Sequence, residues 1–388
     1  MIRRRAGRSW SVAADTIESM PPRPIRVLDL FAGAGGFTQG FHEADPRFVT
    51  VQAVEMDVAA AATFSLNFSD AAVFAGPIQD WLAAGELPTD IDVIIGGPPC
   101  QGFSTLGKQD VDDERNFLWE QYAETIRRVR PKIFVVENVA AFAKSPQFRQ
   151  FQTTLAEDPE FAEYATEHRI LNSADYGAPQ ARKRAVMIGH RREILAPAWP
   201  DASHVGRPLT VADAFDGVPH EAKAFDALDE RSIHFAGVKL NGPFAGQELH
   251  VGRKYTPLSL DRFAAIPEGG NRFDLPDTLK APCWLSHRSG SGDVMGRLHW
   301  TKPSVTIRTE FFKPEKGRYL HPVADRAITH HEAARLQGFP DDFKFVGSRT
   351  AIARQIGNAV PVPLGRAIAA SIAAALTQDQ LAGTRLGC

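Results

Sequence analysis

Between Gly96 and Ser104 the chain reads GGPPCQGFS, closing an apolar run, Ile91-Asp92-Val93-Ile94-Ile95, with two glycines, two prolines and a cysteine. The run suits a buried parallel strand, and the prolines fix the backbone torsions ahead of Cys100. The thiol is thereby held in one direction at the carboxyl edge of a sheet, where open α/β folds place their ligands. So placed, Cys100 could act as a nucleophile; taken alone, it reads equally well as a small buried hydrophobe. A second strand, Lys132 to Val136, delivers Glu137-Asn138-Val139 to the same edge. A carboxyl emerging there between apolar neighbours is expected to be partly desolvated, hence more often protonated and able to donate, unless it only caps the strand end. A third group is Gln180-Ala181-Arg182-Lys183-Arg184. Strand alternation puts Gln180, Arg182 and Arg184 on one face and Lys183 on the other, and three long donors on one face suit phosphate and base oxygens.

The elements that must position these groups alternate between strand and helix from residue 25 onward. Ile25 to Leu30 reads as a strand that runs into Phe31-Ala32-Gly33-Ala34-Gly35-Gly36-Phe37 and then a helix. A strand, a glycine turn and a helix make a nucleotide-type cradle. The GxGG pattern, in place of GxGxxG, points away from a pyrophosphate and towards a ligand without phosphates, such as S-adenosylmethionine. A strand from Val49 to Val54 ends in Glu55, about 20 residues beyond the glycines, where a carboxylate can accept from both ribose hydroxyls. Ala72 to Ala75 forms the third strand and leads to Gly76-Pro77-Ile78-Gln79-Asp80, which would border an adenine. Residues 101 to 119 show no period of 2 or 3.6 and read as a mobile loop beside the cysteine. A helix is expected from Glu120 to Arg130, another around 146 to 165, and strands at Arg169 to Asn172 and Ala185 to His190. From about 195 prolines, glycines and histidines replace the strand-helix rhythm, so a second, irregular or β-rich domain is expected. His330 to Gly338 and the apolar Leu364 to Leu376 read as closing helices, the latter needing burial against the sheet.

Hydrophobic residues at 44% and charged ones at 23% describe a globular chain able to build cores. The start, MIRRRAGRSWSVAADTIES, is basic without an apolar core, so a loose tail is expected in place of a signal peptide. No apolar run is long enough to span a membrane. Cys100, Cys283 and Cys388 share no metal-ligand spacing, which suits a reducing compartment. A net charge of −2 gives no global attraction to nucleic acid, so any such role rests on local patches. Between Ser286 and Arg326 eight Lys/Arg stand against four Asp/Glu.

Taken together, DLFAGAGGF, GGPPCQGFS, ENV, QARKR, ARLQGFP and GNAVPVP, in this order across residues 29 to 365, closely resemble the DNA cytosine-5 methyltransferases. Six motifs in register leave chance a negligible explanation. The resemblance implies an α/β fold: a Rossmann-like S-adenosylmethionine-dependent methyltransferase sheet with a smaller target-recognition domain. The expected division is a basic tail at 1–22, a catalytic domain at 23–195 and 348–388, and target recognition at 196–347. It implies that Cys100 attacks carbon 6 of cytosine, that Glu137 holds ring nitrogen 3 and the exocyclic amine, and that Arg182 or Arg184 favours the thiolate. For the cofactor it points to Phe31, Gly33, Gly35, Glu55, Met56, Ile78, Asp80, Pro98, Leu118, Asn358 and Val360. For DNA it points to Gln101, Ser104, Gln180, Arg335 and Gln337, the last two also anchoring the recognition domain. S-adenosylhomocysteine is the implied product, with no metal. The implied setting is a cytoplasmic, nucleoid-associated monomer acting on double-stranded DNA, away from membranes, with a cognate restriction endonuclease as a candidate partner. One departure is Pro77, where the family has an Asp that binds the adenine amine: either Asp80 substitutes or that bond is missing.

Two other readings share parts of this pattern. An RNA cytosine-5 methyltransferase of the tRNA-modifying branch would keep Pro-Pro-Cys and Glu-Asn-Val, but its Cys-Phe-Thr signature is not in the sequence. A catalytically silent DNA-binding homologue would be expected to show damage at Cys100, Glu137, Arg182 or Arg184, and all four are present. The target sequence is not legible, because base-edge contacts depend on groove geometry.

Overall fold

In the computed structural model, residues 23–99, 118–224, 226, 228–286 and 292–386 are described. Seven strands form one sheet: β1 (Ile25–Leu30), β2 (Phe48–Glu55), β3 (Ala72–Ala75), β4 (Val93–Gly96), β5 (Ile133–Val139), β6 (Tyr164–Asn172) and β7 (Lys183–Arg191). Their order is β3-β2-β1-β4-β5-β7-β6. The first five run parallel, and β7 enters antiparallel between β5 and β6. Helices α1 (Gly36–Ala44), α2 (Val58–Asn67), α3 (Ile78–Ala84), α4 (Leu118–Val129) and α5 (Pro146–Glu157) make the crossovers. The central strands are apolar and fully buried on both faces, as helices on both sides require.

Several boundaries differ from the sequence reading, with α4 beginning at Leu118, β6 at Tyr164 and β7 at Lys183, and two of the differences have a plain physical cause. The helix expected to 165 stops at Glu157, because Pro159 excludes helix from the residue before it, and Asp158 instead caps a short 3₁₀ turn. The chain is already extended at Tyr164. Strand β5 continues through Glu137 to Val139 because β7 pairs with it that far, Val139 opposite Arg184. Glu137 therefore lies inside a strand.

The region after 195 holds short elements, as expected: α6 (Val211–Phe215), a hairpin of β8 (Ser232–Phe235) and β9 (Val238–Asn241), β10 (Phe244–Ala245), α7 (Pro257–Ala264), α8 (Pro282–Ser286), β11 (Gly296–Arg297), β12 (Arg318–Leu320), α9 (His330–Gln337) and β13 (Lys344–Phe345). Helices α10 (Arg349–Asn358) and α11 (Val362–Leu386) close the fold. Helix α11 lies against α1 so tightly that a Cβ on Gly40 would sit 2.6 Å from the Arg366 amide nitrogen, which explains why its apolar face is buried. The boundary drawn at residue 347 is no gap in packing. Phe64 and Phe68 near α2 share one core with Phe244, Phe311, Phe339 and Phe345, whereas Phe263, Ile266, Leu275 and Met295 form a small core with Leu320. No single helix among the described residues is long and apolar enough to cross a membrane.

Candidate active site

Strand β4 ends at Gly96 and hands the chain to Gly97-Pro98-Pro99; Cys100, Gln101 and Ser104 lie outside the described residues. What faces this loop is defined. The side chain of Asn138 donates from Nδ2 to the Pro98 carbonyl at 2.8 Å, tying the Pro-Pro turn to β5. Glu137 lies against Gly97, where any Cβ would meet its Oε2 at 3.0 Å. Its Oε1 is 2.6 Å from Nε of Arg184, and both side chains are nine-tenths buried. The pairing follows from register: Glu137 opposes Val186, so Arg184, two residues along β7, reaches it diagonally on the same face. Glu137 is thus buried, as a desolvated carboxyl would be, and also has a guanidinium partner. Burial pulls the Arg184 guanidinium below its usual range, and the charge and hydrogen bond of Glu137 oppose that.

The remaining members of the QARKR run divide as alternation predicts, with Lys183 exposed and Gln180, Arg182 and Arg184 buried. Arg182 donates from Nη1 to the Ile307 carbonyl at 2.7 Å and from Nη2 to the Gly357 carbonyl at 2.9 Å. Burial, and after it the like charge of Arg184, push its guanidinium well down.

Three residues expected at DNA are otherwise engaged. Gln180 has no exposed surface: its Nε2 donates to Gln337 Oε1 and the Leu336 carbonyl, and its Oε1 accepts from the Ile307 amide. Gln337, also fully buried, donates to the Ile356 carbonyl at 2.5 Å. Both are buried with their amides engaged inside the protein among the described residues, so they are internal ties and not surface contacts for DNA. Arg335 forks onto Asp341 and donates to the carbonyls of Ala214 and Asp216. It holds α9 to α6, the anchoring half of its expected role, with its donors spent inside the protein.

The glycine turn is open towards the same edge. Gly33, at φ 56°, has nothing within 4 Å of where a Cβ would be, and its amide donates to Glu55 Oε2 at 2.8 Å. Glu55 Oε1 accepts from the Asp57 amide at 2.7 Å, which leaves each carboxylate oxygen a further lone pair for a hydroxyl. Burial raises the Glu55 carboxyl, and the backbone amides of Asp57, Gly33 and Met56 hold it back. Phe31 adopts φ 56°, Gly35 caps α1 in the left-handed region, and Met56 is 67% exposed beside the turn. Around them stand Ile78, buried, Asp80, exposed in the first turn of α3, Pro98, buried, and Leu118 at the start of α4. Asn358 is exposed and Val360 buried at the end of α10. An open turn, a carboxylate with lone pairs to spare and an exposed flexible side chain fit a ribose-bearing cofactor with a flat base. Among the described residues no cluster of His, Cys, Asp or Glu is arranged to hold a metal.

Residue-level reading missed two supporting groups. One is Asn138, whose partner carbonyl is identifiable only once β4 and β5 are adjacent. The other is Asp29, buried beneath the turn, where it accepts from the Thr38 hydroxyl at 2.6 Å. Burial, with a smaller contribution from Glu55, pushes its carboxyl up to about 8 although the Thr38 bond opposes this. An acid inside an apolar strand was the available signal.

A doubly wound sheet with one antiparallel strand, an open glycine turn beside a ribose-type carboxylate and a carboxylate–guanidinium pair against Gly97 fit an S-adenosylmethionine-dependent methyltransferase. The chain belongs to the C-5 cytosine-specific DNA methylase family, whose profile matches residues 25–374. It is 35% identical over 386 residues to the type II methyltransferase M.XorII of Xanthomonas oryzae pv. oryzae, covering 91% of this chain and 85% of that one. To M1.HphI of Haemophilus parahaemolyticus it is 34% identical over 361 residues, covering 90% and 86%. Among solved structures, a DNA modification methyltransferase encoded within an E. coli prophage matches with a TM-score of 0.65 at 26% identity, covering 91% of this chain and 99% of that one. The S. pombe Dnmt2 methyltransferase, at 16% identity and a TM-score of 0.54, shares the fold.

Proposed function

We propose that this enzyme transfers a methyl group from S-adenosylmethionine to carbon 5 of a cytosine turned out of a short double-stranded DNA site. The observation that carries the reading is the buried Glu137–Arg184 pair lying against Gly97, three residues before Cys100. The cysteine thiolate adds to carbon 6, so the ring's 5,6 double bond becomes an enamine whose carbon 5 is nucleophilic. Glu137, oriented by Arg184, holds ring nitrogen 3 and the exocyclic amine as charge develops on the ring. The cofactor, when bound, presents a sulfonium methyl to carbon 5. A base then removes the carbon 5 proton, and the electrons of that bond expel the Cys100 sulfur. Among the described residues Arg182 donates to the carbonyls of Ile307 and Gly357, and any charge it carries would favour the thiolate, as would that of Arg184. The target carbon is inaccessible in a duplex, so the base must be extruded at a cost of a few kcal/mol.

For the cofactor, Glu55 is assigned to the ribose hydroxyls and Gly33 to close backbone approach, with Phe31, Met56 and Ile78 around the base. Gly35, Asp80, Pro98, Leu118, Asn358 and Val360 complete the rim. Gln101 and Ser104 remain the proposed DNA contacts of the Cys100 loop, and residues 196–347 the proposed target-recognition region. The type II names of the relatives support a modification enzyme of a restriction–modification system, with a cognate endonuclease as partner, acting as a cytoplasmic monomer.

The test is bisulfite sequencing of plasmid DNA from a methylation-free host expressing the protein, beside Cys100→Ser. Protected cytosines in one short sequence are expected for the native chain and none for the variant, with DNA binding retained. Equal protection in both would overturn the nucleophile; protection in neither, from soluble protein, would overturn the substrate.

A further inference from the structure

Strand β2 ends at Glu55, and the short turn after it is shared between that carboxylate and the next helix. Asp57 faces both ways. Its amide donates back to Glu55 Oε1 at 2.7 Å, while its side chain, the N-cap of α2, accepts through Oδ1 from the amides of Ala59 at 3.0 Å and Ala60 at 3.1 Å. Its other oxygen, Oδ2, meets Arg354 Nη2 of α10 at 3.2 Å. The helix end held in this way is itself fixed by packing: Ala59 to Ala62 are buried, and a Cβ on Gly347 would lie 3.1 Å from that of Ala59. Glu55 is therefore oriented from two firm supports, the glycine turn through the Gly33 amide on Oε2 and α2 through the Asp57 amide on Oε1.

We propose that Asp57 is a positioning residue for the ribose end of the cofactor: its side chain locks the turn at 55–57 onto α2, so that Glu55 presents both carboxylate oxygens to the ribose hydroxyls. The inference rests on the methyltransferase reading above and on the assignment of Glu55 to the ribose. Asp57 acts through Glu55. Without its side chain two amides of α2 lose their acceptor and the peptide between Met56 and Asp57 is free to turn. Glu55, left with the Gly33 amide as its fixed partner, then regains rotamers that ribose binding must freeze again. Charge works in the opposite direction. Asp57 is a like charge that raises the Glu55 carboxyl, so if electrostatics decided, removing it would favour the ionised acceptor. The ion pair is the lesser part of the device, because the Arg354 and Asp57 side chains are 56% and 39% exposed and exposed pairs contribute little.

The experiment is calorimetric titration of the full chain, without DNA, by S-adenosylhomocysteine and by its analogue lacking both ribose hydroxyls. Native protein is expected to bind the analogue at least about tenfold more weakly, since hydrogen bonds to a charged group are lost. Asp57→Ala is expected to bind S-adenosylhomocysteine about fivefold more weakly than native and to discriminate against the analogue by less than about threefold. A variant that had lost stability alone would keep the native ratio. Asp57→Asn retains a capping oxygen and gives up the ion pair, so it should restore both affinity and ratio, and Arg354→Ala should stay within about twofold of native. Undiminished discrimination in folded Asp57→Ala, no rescue by Asp57→Asn, or a loss in Arg354→Ala as large as in Asp57→Ala overturns the inference. Native protein that binds S-adenosylhomocysteine without discriminating overturns the Glu55 assignment and the inference with it, whereas native protein that binds none overturns the functional reading. Should Asp57→Ala unfold, Asp57→Gly carries the same expectation, because glycine is tolerated at a helix N-cap.

Discussion

Asp29 sits unusually deep for an acid, and its consequence is a pH dependence with a definite sign. Its carboxyl lies at about 8 in the folded protein against an ordinary 3.8, so between these values the native state holds a proton that the unfolded chain releases. Stability from this group is therefore complete below about pH 3.8 and is lost as pH rises to 8. Replacing Asp29 by Asn keeps an acceptor for Thr38 without the titration. Urea unfolding from pH 5 to pH 9 is expected to show the native protein losing ground to Asp29→Asn by up to ~1.4 kcal/mol per pH unit until near pH 8, with no further change above it. At this scale the sequence was legible where residue type implies chemistry. Glu137 and Arg184 could be nominated because a carboxylate and a guanidinium at one sheet edge have few other uses. Gln180 and Gln337 were misassigned because an amide suited to DNA is equally suited to a buried carbonyl. Only the burial of both, unreadable without the fold, separates these uses.

Helices and strands carry their own test at the α1–α11 contact. There Gly40 lets two backbones approach; Gly40→Val would force the helices apart by overpacking, at a cost of about 1–3 kcal/mol. Because α1 begins at the glycine turn and α11 follows Val360, weaker S-adenosylhomocysteine binding in calorimetry should accompany the lowered urea midpoint. Unchanged affinity would show that the cofactor rim does not depend on this contact. Strands β1 and β3 were readable to the residue, since each is a short run, mostly apolar, ended by turn residues, although only β1 is buried and β3 lies at the sheet edge. The far end of β5 was not, because its extension through Glu137 is imposed by a partner strand from elsewhere in the chain.

The whole molecule is less divisible than its composition suggests. The change in texture near residue 195 is real, yet Phe215, Leu298, Ile307 and Phe311 pack in the same core as Phe64 and Ile352. A graft of a relative's residues 252–295, which include most of the separate small core, is expected to move the methylated sequence in bisulfite reads while shifting the melting midpoint by less than about 5 °C. A graft of 200–325 should yield insoluble protein. A composition shift marks where the sequence stops resembling a sheet, whereas a domain is bounded by where contacts cease, and contacts between distant segments are not written locally. The position of α10 and α11 has a further consequence for synthesis. A nascent chain emerging at about 5–20 residues per second exposes residues 196–347 before α10 and α11 are made. A truncated product ending before Arg349 lacks Gly357, Asn358 and the cover over α1, and on the function proposed above it is expected to show no methylation in bisulfite reads.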